Sequence, residues 1–422
     1  MLTSISRIYH ELPGKFWTLV SASFIDRLGG ALIFPFFALY ITQHFNVGMT
    51  EVGILLALFS ISSMFGGILG GALTDKYGRK KLIIFSLIMS AISTVMMGLV
   101  DEIKVFYLLA ILVGILADTG GPAHQAMVAD LLPESNRAQG YAVLRVTANL
   151  AVTLGPMIGG LLAGIDYLYL FIIDAIMSTI TAVIFLIKVP ETMPERTATS
   201  APEISLGQTI IGYFDVIKDR LFMVFLLVST LSVIMYIQMN STLSVFLLKV
   251  HDIPPQGFGY ILSMNAGMVV LLQFWVTSRM KKVPPMVVMV IGNILYAIGF
   301  GMYGFVSAYW LMMLAMVIIT IGEMFTVPVS QTVVSIFAPE SMRGRYMAIY
   351  GFSWIIPSAV GPLLAGLVMD NLNPNLVWYA AGTLGIISAV GYWLLHDRAG
   401  HRFSTIDSLK VNSEETAVPI TE

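Results

Sequence analysis

Carboxylates at positions 26, 118, 174 and 323, with the cations Arg27 and Arg145, stand inside long runs of apolar residues. An ionisable side chain in hydrocarbon costs several kcal/mol unless it is paired or faces water, so each of these is a functional candidate. Glu323 has only apolar or hydroxyl neighbours in sequence, Ile321, Gly322, Met324, Phe325 and Thr326, and no cation close by. Burial there favours the neutral acid, so Glu323 reads as a group that takes a proton on one side and releases it on the other as its hydration changes. The simpler reading is a neutral acid making a structural hydrogen bond. Asp26 differs, because Arg27 is adjacent and Arg145 lies at similar depth. A salt-bridged Asp26 would stay ionised and serve as a cation site or as a strut of a gate. His124, among Pro122, Ala123 and Gln125, reads as a hydrogen-bonded structural residue more readily than as part of a relay.

These groups need a frame that tolerates them. Of 422 residues, 57% are hydrophobic and 11% charged, against about a quarter charged in soluble domains, which excludes a soluble globular enzyme. A helix needs about 20 apolar residues to cross hydrocarbon, because only a closed internal hydrogen-bond ladder is tolerated there. Twelve stretches qualify: 17–42, 50–74, 81–100, 105–130, 139–164, 168–188, 220–248, 256–279, 285–305, 308–336, 344–369 and 375–396. Connections are short except 189–219, where Pro190, Glu191, Pro194, Glu195, Arg196, Pro202 and Glu203 mark a linker. The expected organisation is an amino-terminal six-helix bundle at 1–188, the linker, a carboxy-terminal six-helix bundle at 220–396 and a tail at 397–422.

All but four of the 23 Lys and Arg fall on one face; Lys104 and Lys249 lie opposite, and Arg27 and Arg145 lie within spans. Both termini and the linker are therefore expected in the cytoplasm, in a multi-pass protein of a prokaryotic cytoplasmic membrane. Residues Met1 to Lys15 are polar and the first apolar run continues past Ile41 without a cleavage site, which reads as a first span rather than a removed signal peptide. A net charge of −2 offers no footprint for nucleic acid. With no Cys and six scattered His, no metal site is expected.

The halves repeat at an offset of 206 residues: Pro122 falls on Pro328, Gln125 on Gln331, Pro133-Glu134-Ser135 on Pro339-Glu340-Ser341, Arg137 on Arg343, Ala142 on Ala348, Gly155-Pro156 on Gly361-Pro362 and Gly160 on Gly366. Six spans separate the copies, so the repeat is of the parallel kind related by an axis along the membrane normal. Two such bundles enclose a midplane cavity, and rocking one against the other exposes it to each side in turn. The same offset sets Ala117 over Glu323, which puts Asp118 one position from a symmetric midplane carboxylate and makes it the second proton candidate.

Between the second and third spans the chain reads Gly71-Ala-Leu-Thr-Asp75-Lys-Tyr-Gly78-Arg79-Lys80-Lys81. This resembles the signature loop of the major facilitator superfamily, in which the loop acts as a conformational latch. The resemblance covers essentially the whole chain and implies an all-α membrane fold of twelve helices in two pseudo-symmetric bundles. By position it makes Gly71, Asp75, Gly78 and Arg79 the latch, with Asp130 as the partner of Arg79. A carboxylate near a helix N-terminus gains about 0.3–1 kcal/mol, enough for a few such contacts to bias two states. Gly155-Pro156-Met-Ile-Gly159-Gly160 resembles the antiporter part of the family signature, although Ala151 stands where a Gly would extend it. Ala110 occupies the position of an intramembrane Arg found in many drug exporters, a departure from their proton-transfer scheme.

In that fold the first, fourth, seventh and tenth spans line the cavity, which implies that Asp26, Asp118 and Glu323 face it as the proton-coupling candidates and that Asp174 is peripheral. Phe34, Tyr40, Arg145, Asn149, Tyr236, Gln238, Asn240, Phe325 and Trp354 are the expected substrate contacts. An aromatic and Met-rich lining with carboxylates suits bulky apolar cations through adaptable packing and cation–π contact. The function expected is proton-coupled export of lipophilic or cationic drug-like compounds by a monomer, with no cofactor beyond the proton gradient. Sodium is the alternative coupling ion. A lipid or lysolipid translocator or a metabolite carrier of the same fold is the alternative within transport. A membrane enzyme or a sensor is the alternative outside it, disfavoured because no metal cluster, nucleophile elbow or phosphate loop appears.

Overall fold

The computed structural model describes residues 11–117, 119–193, 214–280, 283–339 and 342–415, without the side chains of Asp75, Ala117 and Ala138 or those past residue 398. Asp118, Arg196, Lys281, Lys282, Glu340 and Ser341 lie outside the described residues, and so does the Asp75 side chain. Within the described residues no strand occurs, and twelve helical segments are long and apolar enough to cross a membrane. Helices are the outcome that hydrocarbon allows, since each satisfies its backbone within itself.

The helices of the first half are α1 (Gly14–Ile33), α2 (Phe37–His44), α3 (Met49–Tyr77), α4 (Arg79–Leu99), α5 (Ile103–Ala117), α6 (Gly120–Leu131), α7 (Glu134–Ala163) and α8 (Leu168–Lys188). Those of the second half are α9 (Arg220–Ser241), α10 (Leu243–His251), α11 (Pro255–Met280), α12 (Pro285–Met302), α13 (Tyr309–Phe337), α14 (Arg343–Asn371) and α15 (Asn375–Glu415). Starts are often set by proline, which loses nothing where the N–H has no helical partner: Pro13 and Pro133 precede α1 and α7, and Pro284-Pro285 opens α12.

Among the described residues, two expected spans prove to be interrupted. The first breaks at Pro35 into α1, a 3-10 turn at Phe34–Phe36 and α2. The seventh changes from α9 to α10 at Thr242. The last helix runs to Glu415, past the expected end of its span at residue 396.

Packing gathers the chain into two compact units. The first joins residues 1–200 with 237–271 and 358–374, and the second joins 201–236, 272–357 and 375–422. In the first unit α1 packs on α7 and α8, α4 on α6 and α8, and α3 on α5. One end is filled by Phe16, Leu19, Leu82, Met127 and Phe185, the other by aromatic rings around Tyr40, Phe106 and Phe171.

Two helices meet backbone to backbone in this unit. A Cβ at Gly53 of α3 would collide with the Leu363 backbone, and one at Gly366 of α14 would reach the Met49 carbonyl. Close approach of this kind needs glycine. At the end of the same seam Asp370 of α14 accepts hydrogen bonds from the N–H groups of Met49 and Thr50, at 2.9 and 2.7 Å, and from Thr50 Oγ1 at 2.6 Å. These are first-turn donors of α3, whose own N-cap is Gly48 and has no side chain to offer.

In the second unit α12 packs on α13 and α15 through small residues, Gly292 against Gly322, Gly299 against Ala315 and Gly385 against Ala297. Phe222, Phe225, Phe337, Tyr346, Tyr350 and Tyr392 form its aromatic core.

Because Asp370 supplies a cap from a distant helix, Asp370→Ala is expected to destabilise the protein by about 1–2 kcal/mol, the range of a lost N-cap. Asp370→Asn keeps one acceptor and falls between the two. Thermal unfolding in detergent micelles checks the order wild type, Asn, Ala.

Candidate functional site

The loop carrying the latch residues turns sharply between α3 and α4. Gly78 has φ +96°, a conformation only glycine adopts without strain, and a Cβ there would also run into the Glu191 carboxylate. Glu191, just past α8, accepts from the N–H groups of Arg79 and Lys80 at 3.0 and 3.2 Å and so caps α4. Lys80 Nζ reaches back to the Leu186 carbonyl at 2.8 Å. Arg79 Nε pairs with Asp130 Oδ2 at 3.2 Å, and Thr192 Oγ1 donates to the same oxygen at 3.1 Å. The loop is thus tied to the ends of α6 and α8. The sequence reading found the Arg79–Asp130 pair and assigned Glu191 and Thr192 to a linker; the signal was a Pro-Glu directly after an apolar span. Gly71 has open space where a Cβ would stand, so nothing there requires glycine.

Gly155, Pro156, Gly159 and Gly160 lie in α7 and act through packing. A Cβ at Gly155 would press on the Ala31 backbone, one at Gly159 on the Leu32 carbonyl and Phe36, and one at Gly160 would come within 3.1 Å of Gly259 Cα in α11. These contacts surround the 3-10 turn where α1 breaks, and Phe36 meets Phe258 edge-on at 5.6 Å.

Glu323 lies in α13 of the second unit. Tyr236 of α9 donates its hydroxyl to Glu323 Oε1 at 2.9 Å. The Tyr236 ring meets Trp354 of α14 edge-on at 5.9 Å and lies 5.9 Å from Tyr296, whose hydroxyl accepts from Thr326 Oγ1 at 2.9 Å. Beside them is a cavity of about 30 Å³ lined by Tyr236, Tyr296, Thr326, Ser330, Tyr350 and Trp354, room for one or two waters. Pro328, within α13, has no N–H for the Met324 carbonyl one turn back, and Gln273 Nε2 of α11 donates to that carbonyl at 3.0 Å. Phe325 is half-buried with its Cβ near Gly292.

Asp26 of α1 accepts from Ser178 Oγ of α8 at 3.3 Å, with Arg27 as its neighbouring cation. The hydrogen bond comes from a hydroxyl and not from Arg145, which stands exposed on α7 with Asn149 one turn further on. A polar cavity of about 260 Å³ opens at Asp26, Arg27, Ser23, His124, Gln125 and Thr181, and Ser23 shares a hydrogen bond with His124 Nε2 at 2.7 Å. Asp174, expected at the periphery, is buried at 7% exposure and accepts from Thr94 Oγ1 at 3.0 Å.

Two expected substrate contacts prove to be internal. Tyr40 is buried among Phe106, Phe171 and His44, with its hydroxyl on the Met97 carbonyl at 2.8 Å, because the break at Pro35 turns α2 into the aromatic cluster. Gln238 is buried and accepts from Thr242 where α9 gives way to α10. Phe34 is exposed at the same break and Asn240 is half-buried. Among the described residues no three His, Asp or Glu converge as a metal site.

The family model described as Major Facilitator Superfamily matches residues 19–335 and, in a second overlapping match, 243–408. A Na(+), Li(+), K(+)/H(+) antiporter of Planococcus maritimus is 26% identical over 400 residues, covering 86% of this chain and 92% of the relative. A class H tetracycline resistance protein of Pasteurella multocida is 25% identical over 377 residues, covering 88% and 92%. The crystal structure of the nucleoside transporter NupG superposes with a TM-score of 0.74 at 16% identity, covering 93% of this chain and 99% of that one, a likeness of fold.

The two latch glycines are not equivalent. Gly78→Ala is expected to cost about 1–3 kcal/mol through strain and the clash with Glu191, whereas Gly71→Ala in mid-helix is expected to leave stability unchanged or raise it slightly. Melting temperatures of the two variants, purified side by side, check the contrast.

Proposed function

Because the chain belongs to the Major Facilitator Superfamily, we propose that it is a proton-coupled exporter of lipophilic or cationic drug-like compounds working by alternating access. The observation that carries the reading is Glu323, an acid within an apolar helix whose carboxylate takes a hydrogen bond from Tyr236, itself seated against Trp354. One aromatic side chain thereby touches both the proton-carrying candidate and an expected substrate contact. Binding a cation against Tyr236 and Trp354 favours ionised Glu323, and protonation of Glu323 weakens that binding. Exchange of proton for compound follows from competition for one charge, since a ligand shifts an equilibrium only by its differential affinity for the two states.

The remaining parts fit this cycle. The Arg79–Asp130 pair and the Glu191 cap hold the latch loop in one arrangement, and the Asp370 cap holds α3 and α14 together at their other ends. By the bias of Lys and Arg, the latch end faces the cytoplasm and both termini lie inside. The family is one of transporters, not enzymes. The tetracycline resistance relative supports a drug-like cargo.

A second reading has its own support. The relative that is a Na(+), Li(+), K(+)/H(+) antiporter favours an alkali cation as the exchanged species, which would bind carboxylates directly without the aromatic lining.

Proteoliposomes with an imposed pH gradient decide between them. Uptake of a lipophilic cation such as tetraphenylphosphonium is expected to respond to the gradient in wild type, with Glu323→Gln losing that response while retaining downhill movement. Tyr236→Phe is expected to slow gradient-driven exchange about tenfold, equivalent to about 1.4 kcal/mol. A gradient response to Na⁺, Li⁺ or K⁺ with none to the lipophilic cation would replace drug export by alkali-cation antiport. Full coupling in Glu323→Gln would remove Glu323 from the cycle.

A further inference from the structure

Asp174 has no role in the scheme above, yet the fold buries it between α1, α4 and α8. Its carboxylate accepts from Thr94 Oγ1 of α4 and lies against Gly29 of α1, where a Cβ would collide with it. Asp26 stands three residues before Gly29 on α1, and the Ser178 that donates to it stands four residues after Asp174 on α8. The two acids therefore occupy neighbouring turns of facing helices, separated by about one helical pitch of 5.4 Å along the axis. Asp26 also opens onto the polar cavity of about 260 Å³ between α1, α4, α6 and α8.

Among the described residues, the charges around the pair are few. On α1 there is Arg27, and on α6 His124, which is engaged with Ser23. The α4 face presents Ser86, Ser90 and Thr94, with no ionisable group. On α7, which also packs on α1, Arg145 is the one charge between residues 140 and 160. Arg27 lies in the cavity lining next to Asp26 and offsets one negative charge there, while Asp174 faces hydroxyl and glycine. Two carboxylates this close in a medium of low dielectric do not both ionise freely, and their titration belongs to the pair.

We propose that Asp26 and Asp174 jointly hold a second exchangeable proton, reached from the polar cavity. In one state the proton is an O–H on one carboxyl while the other is ionised beside Arg27. On release the O–H bond breaks, the proton passes to water in the cavity, and both groups are carboxylates held by Ser178 and Thr94. Nothing else is exchanged. With Glu323, each compact unit then carries a proton site, and the chain can move more than one proton per cycle. The proposal builds on the proton-coupled reading, but its test needs no transport and is independent of the cargo.

Infrared difference spectra of the purified protein between acidic and alkaline pH report protonated carboxyl groups by their C=O stretch, shifted in D₂O. In Glu323→Gln a pH-dependent band of a buried carboxyl, apart in frequency from those of the exposed Asp and Glu, is expected to persist, and adding either Asp26→Asn or Asp174→Asn is expected to remove or shift that band. Thr94→Val and Ser178→Ala, which keep both acids and serve if the Asn variants do not fold, are each expected to shift the band. Absence of that buried-carboxyl band in Glu323→Gln overturns the proposal. So does a band left unchanged by Asp174→Asn, or one left unshifted by both hydroxyl variants.

Discussion

An amide N–H or carbonyl without a partner in hydrocarbon costs several kcal/mol, and nearly every feature of this protein can be traced to how that cost is met. Helices meet it along their length. What remains are helix ends and the places where proline deletes a donor. At Pro328 the deleted bond belongs to Met324, and Gln273 supplies a donor from α11. At the starts of α3 and α4 the free N–H groups take carboxylates from distant parts of the chain, Asp370 of α14 and Glu191 just past α8. A helix N-terminus carries partial positive charge, so an acid there is stabilised by dipole and hydrogen bond together. Each such cap is also a tie between elements distant in the chain, and a tie that can be released is what a moving protein needs.

Glycine seams work in the same direction. Apolar side chains gain little by leaving lipid for a helix interface, so close helix pairs rely on van der Waals contact at short range. Gly53 with Gly366, and Gly160 with Gly259, let backbones touch without interlocked side chains. Surfaces of this kind separate and rejoin at small cost, because few rotamers are trapped in either arrangement. The Gly155-Pro156-Gly159-Gly160 segment belongs to this class: its role in the structure is shape, set against the break in the first span.

Acids in the interior answer to a third rule, that buried charge must be shared. Glu323 shares with Tyr236, Asp174 with Thr94, and Asp26 with Ser178. Each of these hydrogen bonds comes from a hydroxyl, which can donate to a carboxylate and accept from a carboxylic acid. A hydroxyl can serve the acid in either protonation state.

Twelve apolar stretches were legible in the sequence, because hydropathy over 20 residues is a local property, and the pair of Arg79 with Asp130 followed from the resemblance of its loop to a family signature. An isolated acid among apolar residues marked Glu323 as a candidate. Only tertiary structure decided the partners: Tyr236 reaches Glu323 across 87 residues, Asp370 reaches Thr50 across 320, and Glu191 turns back to Arg79 across 112. It also moved Tyr40 from an expected lining into an aromatic core and Asp174 from the periphery to a buried place beside α1. Which face of a helix meets which neighbour is settled by the packing of all of them at once, and in a chain this apolar no alternation of polar and apolar residues marks that face in advance.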